Sequence, residues 1–134
     1  MAEPLVSVVV ASFNGERFVA ETLDSVFAQD YEPYEVVFVD DGSTDRTSEI
    51  AQSYPLRYLA RENGGLAAAR NTGVAVARGE YVTFIDDDDL MPPDRLSLQA
   101  TRLADHAELG CVLGRQEWID APDWLPREDR KSVV

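Results

Sequence analysis

Short apolar runs without polar alternation and stretches with apolar residues three and four apart take turns along this chain. The run 5–11 is β-branched almost throughout, as suits a strand buried on both faces of a parallel sheet. Ser12-Phe13-Asn14-Gly15 breaks it, and over 16–30 Phe18, Val19, Thr22, Leu23, Val26 and Phe27 recur at helical spacing. A second doubly apolar run, 35–39, stops at Asp40-Asp41-Gly42-Ser43, and Ser43 or Thr44 is placed to cap a helix over 45–53. Pro55 ends that helix, and 56–59 reads as a third strand.

The turn-rich 61–65 opens an alanine-rich helix over 66–77. Gly73 in its interior costs about 1 kcal/mol against alanine, so something must approach its backbone closely. A fourth strand, 81–85, runs into Asp86-Asp87-Asp88-Asp89, and a helix follows from about Pro93. A last β-like piece, 110–114, precedes a polar tail. Alternation of this kind predicts an α/β fold, a doubly wound and mostly parallel sheet with helices on both faces. It divides the chain into an α/β domain, 1–114, and a connector or tail, 115–134.

At 134 residues the chain is long enough to bury roughly two-thirds of its unfolded surface. A formal charge of −13 argues against nucleic acid or an anionic membrane as partner, so a phosphate-bearing ligand needs a local device: a divalent cation, helix-start N–H groups or a particular arginine. Cys111 is the one cysteine, which leaves no disulfide framework or thiolate metal site. The first residues lack a basic targeting region and the apolar run is too short to span a bilayer, so the expected setting is cytoplasmic with no transmembrane segment.

Three loops, 12–15, 40–44 and 86–90, follow strands on what should be one sheet edge, where open α/β sheets bind ligands. Two unit charges 4 Å apart repel by about 4 kcal/mol at an effective dielectric near 20, so four adjacent aspartates call for a cation or a solvated turn. In an extended segment Asp86 and Asp88 point the same way and can share a divalent metal. Asp87 then points elsewhere, toward a ribose hydroxyl for instance, and Asp89 is available to cap the next helix. Asp40 and Asp41 are placed either to accept from the imide N–H of a pyrimidine base or to cap a helix. Phe13 is either a stacking surface for base and ribose or core. Arg70, in the helix that starts beside Gly64 and Gly65, either offsets a diphosphate or pairs with a neighbouring aspartate. His106, the only histidine, lies in a polar helix end and reads as a surface residue, which excludes a histidine-based nucleophile relay.

Together, Val6-Ser7-Val8-Val9-Val10-Ala11-Ser12-Phe13-Asn14, Val39-Asp40-Asp41-Gly42-Ser43-Thr44-Asp45, Asn63-Gly64-Gly65-Leu66 with Ala69-Arg70-Asn71-Thr72-Gly73, and Phe84-Ile85-Asp86-Asp87-Asp88-Asp89 resemble the family 2 glycosyltransferases of the GT-A, Rossmann-like fold. The resemblance implies a nucleotide-diphospho-sugar donor, Mn²⁺ or Mg²⁺ on its diphosphate, and inverting transfer of the sugar to a carbohydrate or other hydroxyl acceptor by a carboxylate base. It assigns Ala11 and Phe13 to the nucleoside and Asp41, with Asp40 beside it, to the base. Gly65 and Arg70 fall at the donor, Asp86 and Asp88 are the outer members of a DXD motif at the metal, and Asp87 is the ribose neighbour.

Relatives of this kind carry a further half domain that builds the acceptor site and supplies the base, often from a Glu-Asp pair. Glu128-Asp129 is such a pair but follows the four aspartates too soon, so the catalytic base is unknown and Asp129 is its one candidate here. The expected chain is therefore a truncated, donor-binding portion, and its exposed half-domain face favours a homo-oligomer. A rival from another class is a non-catalytic metal- and nucleotide-binding module that partners or regulates a complete transferase. A nucleotidyltransferase is weaker, since the basic phosphate-gripping loop it needs is not found.

Overall fold

The computed structural model describes residues 3–115, together with the backbone of 117–118 and 132–133. Its strands β1 (Val6–Ser12), β2 (Tyr34–Asp40), β3 (Arg57–Ala60) and β4 (Tyr81–Asp86) form one sheet in the order β3-β2-β1-β4. All three pairings are parallel, with Ala11 in register with Val39 on one side and Asp86 on the other. The chain moves outward from β1 to β3 and then returns to β1's other side, so the order reverses between β1 and β4. That reversal is the topological switch point at which sheets of this type open a crevice.

Helices α1 (Val19–Phe27), α2 (Thr47–Ala51), α3 (Leu66–Val76) and α4 (Arg95–Asp105) cover both faces. Val8 and Val10 of β1 pack with Val19, Leu23 and Val26 of α1 and Leu96 and Ala100 of α4, while Val9 and Ala11 pack with Ala69 of α3. Successive strand residues point to opposite faces. A strand covered twice therefore needs apolar residues on both faces, which is why 8–11 and 36–39 show no alternation; all of β1 and the last five residues of β2 are buried.

Gly73 is where α3 comes down on the sheet: a Cβ there would sit 2.3 Å from Val9 Cγ1. The close approach anticipated from a glycine in mid-helix is real. Among the described residues no helix is long and apolar enough to cross a membrane.

Three local expectations are corrected. The helix expected over 45–53 is only the five residues of α2, and its first turn is held by Asp45, not Ser43 or Thr44. The Asp45 Oδ1 atom accepts from the Thr47 N–H at 2.9 Å and the Thr47 hydroxyl at 2.5 Å, a local bond that starts the helix two residues late. Burial pushes the Asp45 carboxyl up, but these bonds outweigh it and hold it below its ordinary value.

Residues 110–114 form no strand, and Leu113 is 89% exposed. Apolar content and flanking glycines do not make a strand without a ladder partner. Asp89 does not cap α4 either; Asp94 precedes that helix, without a side-chain cap bond.

The two-residue strands β5 (Glu117–Trp118) and β6 (Ser132–Val133) pair antiparallel. The pair Glu128-Asp129 lies outside the described residues.

Candidate functional site

At the carboxyl ends of the strands lies a cleft of about 510 Å³ lined by Ala11, Ser12, Phe13, Asp41, Asn63, Gly65, Leu66, Ala69, Asp86, Asp87 and Asp88. Its walls are the loops after β1, β2, β3 and β4, and side-chain to backbone bonds lock these together. Asn14, at φ +50°, donates its N–H to Ser43 Oγ (2.9 Å) and accepts from the Thr44 N–H (2.8 Å); Gly15 N–H donates to Thr47 Oγ1 (2.9 Å). Those bonds join the first loop to the second.

Asp41 joins the second loop to the third. It is 3% exposed, and its carboxylate accepts from the N–H groups of Gly64 (3.0 Å) and Gly65 (2.8 Å) while Arg61 Nε lies 3.1 Å away. Gly65, at φ +95°, a backbone that favours glycine, begins α3 with its own flank open to the cleft. The N-terminal end of that helix carries unsatisfied N–H groups and a partial positive charge, the kind of place where a phosphate settles.

Extended geometry does not persist through the four aspartates. Strand β4 ends at Asp86, and Asp89 N–H returns to the Asp86 carbonyl at 3.2 Å, closing a turn. That turn gathers a carboxylate oxygen each from Asp86, Asp88 and Asp89 within 4.8 Å of one another. The i, i+2 alternation expected of an extended segment is therefore not what joins Asp86 and Asp88; the turn brings them together and adds Asp89.

Asp87 leaves the cluster and accepts from the Ser12 hydroxyl at 2.5 Å. Burial raises the Asp87 pKa above its ordinary value; the Ser12 bond opposes this, and the charges of Asp88 and Asp86 add to it. An all-oxygen set fits a hard divalent cation.

Of the residues singled out from sequence, Ala11, Phe13, Asp41, Gly65, Asp86, Asp87 and Asp88 meet in one cleft. Phe13 is 51% exposed, so it is a surface facing the cleft and not core. Arg70 pairs with Asp86 at 2.8 Å, its guanidinium lying over the Phe84 ring. Asp40 does not line the cleft. It is 3% exposed and accepts from the Ser43 N–H (2.9 Å) and the Tyr58 hydroxyl (2.7 Å), which holds the second loop's turn. His106 lies at the surface beside Glu108 at 3.1 Å.

Sequence reasoning missed Ser12, Asn63, Leu66 and Arg61. Ser12 and Asn63 have partners far along the chain, Asp87 and Asp41. Ser12, Asn63 and Leu66 lay within the motif segments with no role of their own, and Arg61 lay just before one.

The family model for Glycosyl transferase family 2 matches residues 7–132. The uncharacterized glycosyltransferase EpsJ of Bacillus subtilis is 41% identical over 124 residues, covering 84% of this chain and 35% of EpsJ. Among solved structures, TarS of S. aureus superposes with a TM-score of 0.72 at 35% identity, over 76% of this chain and 33% of that one, and has also been solved with UDP-GlcNAc. The mannosyltransferase PcManGT of Pyrobaculum calidifontis, in complex with GDP-Man and Mn²⁺, gives a TM-score of 0.63 at 35% identity over 80% of this chain and 33% of its own. The chain thus spans about a third of the length of these relatives.

Proposed function

Because the chain belongs to glycosyl transferase family 2, we propose that its cleft binds a nucleotide-diphospho-sugar with a divalent cation, Mn²⁺ or Mg²⁺, and serves inverting transfer of the sugar to an acceptor hydroxyl. The observation that carries this reading is convergence: an exposed aromatic face, a buried carboxylate, a helix start and the metal-competent carboxylates of Asp86 and Asp88 share one cleft at the switch point, and Asp89 converges on that pair. Support also comes from the ligands of the solved relatives, UDP-GlcNAc in TarS and GDP-Man with Mn²⁺ in PcManGT.

In this reading Phe13 stacks on the nucleoside beside Ala11. A carboxylate offers about four lone-pair sites. Two N–H donors fill two of them on Asp41, with the Arg61 charge alongside, which leaves a site for an imide N–H of the base. Asp40 serves by fixing the turn. The open flank of Gly65 and the start of α3 accept the diphosphate. Arg70 holds Asp86 in place and adds positive charge beside it.

Asp86 and Asp88, with Asp89, would hold the cation, which when bound neutralises charge on the departing nucleotide diphosphate. For transfer, the acceptor oxygen bonds to the anomeric carbon while the bond from that carbon to the diphosphate breaks on the opposite face. The hydroxyl proton passes to a carboxylate base. Glu128-Asp129 is the candidate pair for that base. The division at residue 114 and a cytoplasmic setting belong to the same proposal.

Calorimetric titration with UDP, GDP and dTDP, with and without Mn²⁺, tests it. At least one should bind in a metal-dependent way, and Asp88→Ala should abolish the metal's contribution while the protein stays folded; no binding by any of the three would overturn the reading. A donor-transfer assay separates a transferase from a binding module, which would neither hydrolyse nor transfer the sugar.

A further inference from the structure

Ser12 is the point at which three strand ends meet. It is the last residue of β1 and 3% exposed; its carbonyl accepts from the Asp41 N–H at 2.8 Å, and its hydroxyl donates to Asp87 Oδ2 at 2.5 Å. Gly15 closes on the same carboxylate, where an added Cβ would stand 2.3 Å from Asp87 Oδ2 and 2.8 Å from Ser12 Oγ. Asp87 is thereby clamped between the first loop and its own turn. It is the one aspartate of the four outside the convergent set.

We propose that Ser12 is a positioning residue for the cation end of the cleft. By holding Asp87 against the β1 loop it fixes the orientation of the 86–89 turn, and that orientation makes Asp86, Asp88 and Asp89 converge. Asp87 accordingly acts as a brace and not as a ribose ligand. Four acidic side chains on one turn repel one another. Without a neutral donor to draw one inward they would fan apart into solvent, and the three oxygens would lose their common centre. The Ser12 carbonyl bond to Asp41 carries the same constraint to the loop that holds Gly64 and Gly65, so the cation end and the nucleoside end are set together.

The inference rests on the reading that these carboxylates hold a divalent cation, and the test separates the two. Mn²⁺ affinity of the 134-residue chain, with no nucleotide present, is measured from the free-ion electron paramagnetic resonance signal. Groups bonded directly to metal ligands typically govern about 10–100-fold in affinity, and Ser12, which acts through Asp87, belongs at the low end of that range. Ser12→Ala should therefore weaken Mn²⁺ by about tenfold, Ser12→Thr, which keeps the hydroxyl, should restore it, and Ser12→Ala added to Asp87→Ala should have no further effect. Unchanged affinity in Ser12→Ala, or an equal loss on the Asp87→Ala background, overturns the inference while leaving the metal site standing. Should Ser12→Ala fail to fold by circular dichroism, Asp87→Ala alone decides: it must weaken Mn²⁺ by a similar factor, and if it does not, the inference is wrong. Absence of Mn²⁺ binding by the unmodified chain would instead sink the metal reading and this inference with it.

Discussion

Gly73→Ala sets two terms of opposite sign against each other. Alanine is favoured over glycine in a helix interior by about 1 kcal/mol, so on propensity alone the substitution stabilises α3. The added Cβ, however, would lie 2.3 Å from Val9 Cγ1, 3.2 Å from Val9 Cγ2 and 3.4 Å from Val39 Cγ2. Carbon atoms in good contact stand about 3.5–4.0 Å apart, so more than an ångström must be found. Val9 cannot provide it: the side chain is β-branched, fully buried and in the middle of the sheet. The helix must lift, which also loosens Ala69 from Val37 and Val39.

Overpacking of this sort costs about 1–3 kcal/mol, and the 2.3 Å approach calls for the upper end; subtracting the propensity gain of about 1 kcal/mol leaves a net loss of up to about 2 kcal/mol, or up to about 8 °C in Tm for a domain of this size. Urea unfolding followed by circular dichroism reads the difference in midpoint. The Val9→Ala background removes both offending methyl groups, and there Gly73→Ala should become neutral or stabilising. Equal or greater stability of Gly73→Ala in the wild-type background would refute the steric argument. So would an undiminished loss in the Val9→Ala background.

Phe13→Ala should weaken nucleotide binding by at least about fivefold, since base–aromatic stacking is worth about 1–3 kcal/mol. The same change should leave Tm nearly unmoved because the ring is half exposed; a large fall in Tm with unchanged affinity would return Phe13 to the core. Glu35 accepts from the Ser7 hydroxyl at 2.6 Å and the Arg78 N–H at 2.8 Å; burial pushes its carboxyl up, but these bonds prevail and hold it below the ordinary 4.5. A depressed folded pKa contributes stability that is present above the unfolded value and lost as pH falls through the folded one. The urea midpoint should therefore drop less steeply below pH 4.5 in Glu35→Gln than in the wild type, and parallel slopes would discount the group. Burial and the bond to Asp24 push the Tyr54 phenol up to about 12, so in an ultraviolet titration Tyr54→Phe should remove one phenol from those still neutral at pH 11, with its share of stability fading from pH 10 toward 12. Complete ionisation of every tyrosine by pH 11 would contradict it.

Apolar periodicity is a local signal, and it served where the structure depends on local pattern. The unbroken runs of β1 and β2 announced strands covered on both faces, and the glycine in α3 announced a close neighbour. Polar roles were less legible because they depend on partners far along the chain. Asp41 reaches its glycine N–H groups across 23 and 24 residues, and Ser12 reaches Asp87 across 75. Asp45, by contrast, was misread locally, since a side chain that bonds its own backbone neighbours competes with the helix it begins. The aspartates at this sheet edge are sorted by what faces them. Neutral donors hold Asp40, Asp45 and Asp87, and two N–H groups with Arg61 hold Asp41. Asp86 is matched chiefly by a cation, Arg70, and it converges with Asp88 and Asp89. Net negative charge therefore remains concentrated on one turn at the mouth of the cleft. In a chain of charge −13 that is where a cation is held most strongly, and a donor carrying its own negative charge needs one there to enter at all.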